Sequence, residues 1–236
     1  MTIKEKHLLI FPFIPTALAI AALIYRVSFN KDNLLLAGSI AFTCTVICIL
    51  VYFISPANNR SLLILAAAFI FSILGDLFLK KRPPDYWFVL GISSFFLAHV
   101  GFSFYSLTRV KFSWLIFAAI LIPFLIWYFA VLLPTNRLKN NDILAFAVFL
   151  YVVVSCFSLS ASINLKSSSA TYWIFTAGIA CILISDSFIA AGNFLRWQKL
   201  SFLVMPLYYL CHILIALSVV LRQIKQKLSS TKGLLI

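Results

Sequence analysis

Long uninterrupted apolar segments dominate this chain and decide what it can fold into. A helix needs about 20 mostly apolar residues to cross the hydrocarbon core of a bilayer. Eight segments of the sequence have this character, and only short polar loops separate them. They predict an all-α integral membrane bundle of about eight transmembrane helices, which forms a single transmembrane domain over residues 1–236. The predicted spans are 8–26, 34–54, 61–79, 86–107, 112–133, 142–163, 171–192 and 200–221.

Composition and charge support a membrane protein and argue against a nucleic-acid-binding protein. Hydrophobic residues make up 63% of the chain and charged residues 11%, whereas soluble domains are about half apolar and a quarter charged. The formal net charge is +13, but the 19 lysines and arginines are spread over the loops and both tails. Basic loops beside apolar spans indicate contact with anionic lipid headgroups. We therefore expect a multi-pass protein, in the cell membrane if the source is bacterial, that binds no nucleic acid.

Two of the six acidic residues, Asp76 and Asp186, lie within predicted spans, whereas the other four lie at the N-terminus or at helix boundaries, where water can reach them. A charged side chain at bilayer depth costs about 2.5–3.5 kcal/mol on insertion scales, so it usually marks a functional site. A carboxylic acid shielded from water can act as a general acid, while a second carboxylate can stabilise a cation or activate water. The pair is therefore our candidate for catalysis. The structural alternative is an ion pair, such as Asp76 with Lys80 one helical turn later.

A weak internal repeat relates the two halves of the chain. The third span ends with ILGDLF at 73–78, the seventh contains LISDSF at 183–188, and each is followed by a basic loop and a helix with a histidine, His99 or His212. The repeat predicts two parallel four-helix units related by an axis along the membrane normal. With or without a true repeat, the third and seventh spans run in the same direction. Both aspartates are therefore expected near the same membrane face, with the histidines deeper.

Several polar residues are candidates for binding a substrate beside the two aspartates. Asn193 lies seven residues, or two helical turns, after Asp186, and Tyr208 and Tyr209 lie one turn before His212. The basic loop after the third span lies at the same face and could hold a phosphate group. A solvated loop is the simpler interpretation of these three cations. The candidate substrate-binding residues are His99, Asn193, Tyr208, Tyr209, His212, Lys80, Lys81 and Arg82.

Other familiar chemistries receive little support from the sequence. A zinc site of two histidines and two aspartates is chemically possible, but the sequence has no HxxxH, HExxH or CxxC spacing. It also lacks the GxSxG turn of many serine hydrolases and the GxxxxGK loop that binds nucleotide phosphates. We therefore expect no metal and no cofactor.

Four segments of the sequence, in this order and spacing, resemble the YhhN-like lysoplasmalogenase family. They are FSILGDLFL at 71–79, GISSFF at 91–96 with AH at 98–99, ISDS at 184–187, and YYL at 208–210 with ILIALS at 213–218. The resemblance extends over roughly residues 60–220. It implies a membrane hydrolase that cleaves the vinyl ether bond of a lysoplasmalogen, releasing a fatty aldehyde and a glycerophospho-alcohol.

This implied reaction suits two carboxylates without a metal. A vinyl ether is hydrolysed by protonation at carbon, which gives an oxocarbenium ion that water captures, as in glycoside hydrolysis. One aspartate would protonate the alkenyl carbon and the other would stabilise the cation and guide water; the sequence does not distinguish their roles. The expected partners are a lysophospholipid with an alkenyl chain and the bilayer, while the oligomeric state stays open. A proton-coupled transporter of a small or amphiphilic solute is the rival interpretation, because intramembrane acids and histidines also occur in such carriers.

Overall fold

The computed structural model of the chain describes residues 10–29, 34–54, 60–81, 85–108, 111–165 and 170–233, and these residues form helices and short connections without strands. A π-helical turn, Tyr128–Leu132, extends the fifth helix. The helices are α1 (Phe13–Phe29), α2 (Leu34–Ile54), α3 (Ser61–Lys80), α4 (Asp85–Leu107), α5 (Trp114–Trp127), α6 (Asn136–Lys139), α7 (Asp142–Ile163), α8 (Ala170–Phe194) and α9 (Ser201–Gly233).

Within the described ranges, seven helices are long and apolar enough to cross a membrane, namely α2, α3, α4, α5 with its π-helical turn, α7, α8 and α9. The protein is therefore an integral membrane protein, and the predicted all-α membrane bundle is confirmed. The first predicted span, 8–26, corresponds to α1, which has 17 residues and begins at Phe13. Its length of about 25 Å is less than a bilayer core of about 30 Å. Pro12 and Pro15 suit this start, because the first turn of a helix needs no backbone N–H donors.

Helix contacts in one half of the bundle have counterparts in the other half. In the first half α1 packs against α2, α2 against α3, and α3 against α4; in the second half α5 packs against α7, α7 against α8, and α8 against α9. The two halves meet through α4 with α7 and through α9 with α2, and α9 also packs against α1. Two parallel repeats related by a pseudo-two-fold axis would give this contact pattern.

Small residues bring the helices that carry the aspartates close to their neighbours. A Cβ atom on Gly101 of α4 would lie 2.8 Å from Cβ of Ala68 on α3. A Cβ atom on Gly178 of α8 would lie 2.8 Å from Cγ1 of Ile215 on α9. Such close helix contacts are common in membranes, where small residues let backbones approach. Polar side chains on α3 and α8 are therefore held within reach of those on α4 and α9.

Candidate active site

Asp76 is held by a tyrosine from the other half of the chain. It lies one turn before the end of α3, and the Tyr208 hydroxyl on α9 donates a hydrogen bond of 2.8 Å to its Oδ2 atom. Tyr208 is 4% exposed, whereas Asp76 is half-buried. Lys80 is exposed, and the described residues contain no ion pair between it and Asp76. The partner of this carboxylate is thus a neutral hydroxyl rather than a loop cation.

Asp186 belongs to a chain of three polar side chains from three helices. The Tyr151 hydroxyl on α7 donates a hydrogen bond of 2.5 Å to Asp186 Oδ2 on α8. The same hydroxyl lies 3.2 Å from Nε2 of His99 on α4. His99 Nε2 is 3.7 Å from Asp186 Oδ2, and the side chains of His99 and Asp186 are 0% and 11% exposed. One side of Asp186 is therefore covered by Tyr151 and His99.

The two carboxylates belong to one electrostatic unit. Asp76 and Asp186 are close enough to interact through their charges, and Tyr208 interacts with both. Each aspartate also contacts a residue from the opposite half: Asp76 meets Tyr208 on α9, and Asp186 meets His99 on α4. In the sequence repeat, the counterpart of His99 is His212. In the structure, the counterpart of His99 is Tyr208, because each of these two residues contacts the aspartate of the other half. The site therefore lies where the two halves join.

A cavity of about 590 Å³ lies next to this unit. Leu79, Ile189 and Met205 are part of its wall, and each is three residues from Asp76, Asp186 or Tyr208. This spacing is nearly one helical turn, a rise of about 5 Å. The other lining residues lie at helix ends on the same side of the bundle: Arg26, Lys81, Asp85, Phe88, Arg137, Phe188, Gly192, Asn193, Gln198, Ser201 and Val204. The carboxyl ends of α3 and α8 thus share a face, as expected, and the cavity lies at that face. Asp76 and Asp186 do not line it themselves but lie three residues along their helices from residues that do.

Three cations line the cavity, and specific contacts position each of them. Arg137 Nη2 lies 2.7 Å from Asp85 Oδ1, and its guanidinium stacks on Phe88 at 4.7 Å from the ring centroid.

The other two cations are Arg26 and Lys81. Arg26 Nη2 donates to the Ser201 carbonyl at 3.2 Å. The Lys81 ammonium lies 4.1 Å from the ring centroid of Trp87. The wall therefore carries three positive charges and one carboxylate, which favours an anionic group in the cavity.

The predicted residues near the face are divided among three environments. Lys81 and Asn193 line the cavity, and Asn193 Nδ2 also donates to the Ile189 carbonyl at 2.9 Å. Lys80 is exposed and does not line the cavity. Arg82 lies outside the described residues.

His212 and Tyr209 lie in the protein interior next to Tyr208. His212 Nδ1 donates to the Tyr208 backbone carbonyl at 2.8 Å, and its ring packs 5.3 Å from that of Phe69. Tyr209 is buried with its ring centroid 6.4 Å from that of Tyr208. His212 therefore packs behind Tyr208 and makes no hydrogen bond to either carboxylate in the described residues. No group of three or more histidines, cysteines or acids in those ranges is arranged to hold a metal ion.

Three residues of the site, Tyr151, Arg137 and Arg26, are not identified from the sequence. Tyr151 lies in the middle of α7, away from the membrane interfaces where tyrosine is usually found, and this position is a signal for a polar role. Arg137 lies in the loop segment between two predicted spans, 52 residues from its partner Asp85. No local pattern could have indicated that contact.

Comparison with known proteins gives a family and no individual relative. No curated protein and no solved structure matches the chain. The model of the YhhN family matches residues 38–219, a range that includes Asp76, His99, Tyr151, Asp186 and Tyr208. Because the match covers most of the sequence, the chain belongs to the YhhN family.

Proposed function

We propose that this protein is a membrane hydrolase that cleaves the vinyl ether bond of lysoplasmalogens. Its products would be a fatty aldehyde and a glycerophospho-alcohol. The observation that carries the proposal is a pair of interacting, tyrosine-bound carboxylates one helical turn from a cavity with a basic wall. Membership of the YhhN family is consistent with this activity.

The proposed reaction uses one carboxyl group as acid and the other as base. The acid transfers its proton to the alkenyl carbon that is not bonded to oxygen, and the electron pair of the double bond forms the new C–H bond. The resulting oxocarbenium ion is stabilised by the second carboxylate, which also accepts a proton from the attacking water. The hydroxyl group of the hemiacetal then becomes the aldehyde carbonyl as the C–O bond to the glycerol breaks, and the proton of that hydroxyl passes to the departing alcohol oxygen. One water is consumed, and no metal or cofactor takes part in these steps.

The cavity wall suits the two ends of such a substrate. Arg26, Lys81 and Arg137 would bind the phosphate, because guanidinium and ammonium groups form charge-assisted hydrogen bonds with phosphate oxygens. Leu79, Val204 and Met205 offer apolar surface for the first carbons of the alkenyl chain. Among the loop cations proposed from the sequence, Lys81 is the one that lines the cavity, whereas Lys80 does not and Arg82 lies outside the described residues.

The test is aldehyde release by the purified protein in detergent. We expect aldehyde from a 1-alkenyl lysophospholipid, in the presence of a chelator as well as without it. The saturated 1-alkyl ether with the same headgroup is the control, because it has no double bond to protonate and should release none. A folded, monodisperse preparation that releases no aldehyde from the alkenyl substrate would contradict the proposal.

A proton-coupled transporter is the second candidate, and the chain of Asp186, Tyr151 and His99 favours it. Such chains of acids and histidines inside membranes are typical of proton pathways. The transporter predicts that protein in sealed vesicles moves a solute unchanged while protons cross in the same assay. Release of free aldehyde without transmembrane movement of the lipid would decide for the hydrolase.

A further inference from the structure

We propose that Asp186 is the proton donor of the reaction and that Tyr151 and His99 form a relay that returns a proton to it after each turnover. This assignment rests on the proposed function and adds the division of roles that the pair of carboxylates alone leaves open. It concerns Asp186, Tyr151 and His99, which lie on α8, α7 and α4.

The direction of the hydrogen bonds carries the inference. The Tyr151 hydroxyl has one hydrogen and donates it to Asp186 Oδ2. Its oxygen is then the acceptor for His99, so His99 Nε2 carries a hydrogen that points to Tyr151. In the neutral imidazole, Nδ1 consequently has a free lone pair. A proton arriving at Nδ1 would release the Nε2 proton to Tyr151, and Tyr151 would pass its own proton to Asp186.

The outer end of this relay is a buried nitrogen with no protein partner. His99 is fully buried, and its Nδ1 atom has no hydrogen-bond partner among the described residues. The buried Ser158 hydroxyl also has no hydrogen-bond partner among the described residues, and it lies two turns after Tyr151 on the same face of α7. Buried polar atoms of this kind are normally satisfied by internal water. Bound water between α4 and α7 would therefore supply the proton to Nδ1.

Serines continue this polar region away from the cavity. Ser103 and Ser106 follow His99 along one face of α4, and Ser155 and Ser158 follow Tyr151 along one face of α7. All four are buried, and α4 packs against α7. We call these four residues the serine seam. It leads towards the membrane face opposite the cavity, so a substrate in the cavity would not block it.

Asp76 has no comparable chain, which distinguishes the two aspartates. Tyr208 donates to Asp76, but His212 contacts the Tyr208 backbone carbonyl and not its hydroxyl. A proton cannot pass from His212 through Tyr208 to Asp76 by these bonds. Asp76 is thus assigned as the carboxylate that stabilises the cation and accepts a proton from water. It returns that proton to the cavity when the product leaves, while the relay reloads Asp186, so the cycle balances.

The test separates the first turnover from the following ones. Tyr151→Phe keeps the ring but removes the hydroxyl, so a loaded Asp186 would act once and then reload slowly. We expect a burst of about one aldehyde per protein, followed by a steady-state rate reduced roughly tenfold or more. His99→Gln should give the same burst and covers the case in which Tyr151→Phe does not fold. Equal losses in the first turnover and the steady state, or no loss in either, would overturn the relay.

Two serine variants test the outer end of the relay. Ser158→Val places an apolar side chain on the face that carries Tyr151, and we expect a reduced steady-state rate with an unchanged first turnover. Ser160→Val is the matched control, because Ser160 is equally buried and also lacks a hydroxyl partner but lies on the opposite side of α7. An equal response of both variants would overturn the assignment of the serine seam as the proton source.

A substrate-free measurement keeps this proposal distinct from the proposed function. The infrared carbonyl band of protonated Asp186, identified by its loss in Asp186→Asn, should shift after transfer to D₂O. The shift should be slower in Tyr151→Phe than in the wild type. If the wild type shows no such band, the relay is overturned even when aldehyde is released. If the band is present and shifts more slowly in Tyr151→Phe, but the wild type releases no aldehyde, only the proposed reaction is overturned.

Discussion

Tyr208 donates a hydrogen bond of 2.8 Å to Asp76, a residue from the other half of the bundle. His99 makes the reciprocal contact with Asp186, at 3.7 Å. Each half of the bundle therefore supplies one carboxylate and one partner for the carboxylate of the other half. Two apolar four-helix units are combined in this way into a single polar site, and neither unit would hold it alone.

Replacing Tyr208 by phenylalanine should lower kcat/KM for aldehyde release by about 10–100-fold, because a hydrogen bond to a charged group contributes about 1.5–3 kcal/mol. The control is Tyr128→Phe, which removes an equally buried hydroxyl that donates to the Ala145 carbonyl at 2.8 Å. That hydroxyl lies in the separate apolar cluster around α5 and α7. Tyr128→Phe should keep wild-type kcat/KM. A Tyr208→Phe variant as active as the wild type would show that Asp76 needs no positioning by Tyr208.

Replacing Arg137 by glutamine should raise KM for the lysoplasmalogen about tenfold or more and leave kcat nearly unchanged, because a charge-assisted contact to the phosphate is lost. A 1-alkenyl glycerol without phosphate should show no change in KM. Lys139→Gln is the control for net charge, since Lys139 is exposed on α6 and does not line the cavity. Equal KM values for wild type and Arg137→Gln would remove Arg137 from the phosphate site.

The sequence predicts the elements of this fold far better than their relative rotation. The apolar runs locate α2 to α5 and α7 to α9 because length and hydropathy are local properties. The shared face of Asp76 and Asp186 follows from counting spans, since the third and seventh run in the same direction. Both predictions need only a bilayer of fixed thickness.

The side-chain contacts within the site depend on helix packing, which local patterns do not specify. His99 and His212 look alike in the sequence, yet His99 lies beside Asp186 while His212 contacts the backbone of its own helix. The mid-helix position of Tyr151 indicates a polar role, but the sequence does not show which helices supply its partners, His99 and Asp186. Arg137 on α6 meets Asp85 at the start of α4 only because these two helices converge at one face.

Gly178→Ala should lower the thermal unfolding midpoint in detergent. The added methyl group would lie 2.8 Å from Cγ1 of Ile215 and 3.1 Å from the Cys211 backbone oxygen, so α8 and α9 would have to separate. Overpacking of this kind costs about 1–3 kcal/mol. Gly38→Ala is the control, because no atom lies within 4 Å of its Cβ and alanine is the better helix former. The unfolding midpoint of Gly38→Ala should equal or exceed that of the wild type. A midpoint of Gly178→Ala at least as high as that of the wild type would contradict the close α8–α9 contact.

Hydrolysis in D₂O should place one deuterium on the carbon next to the aldehyde group, because the acid protonates carbon in the first step. The aldehyde would be reduced to the alcohol as it forms and examined by mass spectrometry. Authentic aldehyde incubated with the protein in D₂O gives the background exchange. Product with no deuterium above that background would exclude protonation at carbon.

Aldehyde release by Asp76→Asn and Asp186→Asn, measured in the same detergent, tests whether the two aspartates together carry out the hydrolysis. Asparagine keeps the shape of each side chain but can neither donate nor accept the required proton. Each variant should lose activity by roughly 100- to 10,000-fold, as expected for removal of a general acid or base. Asp142→Asn, which changes an exposed carboxylate at the start of α7, should retain the wild-type rate. Full turnover by either Asp76→Asn or Asp186→Asn, in a folded preparation, would contradict the two-carboxylate account.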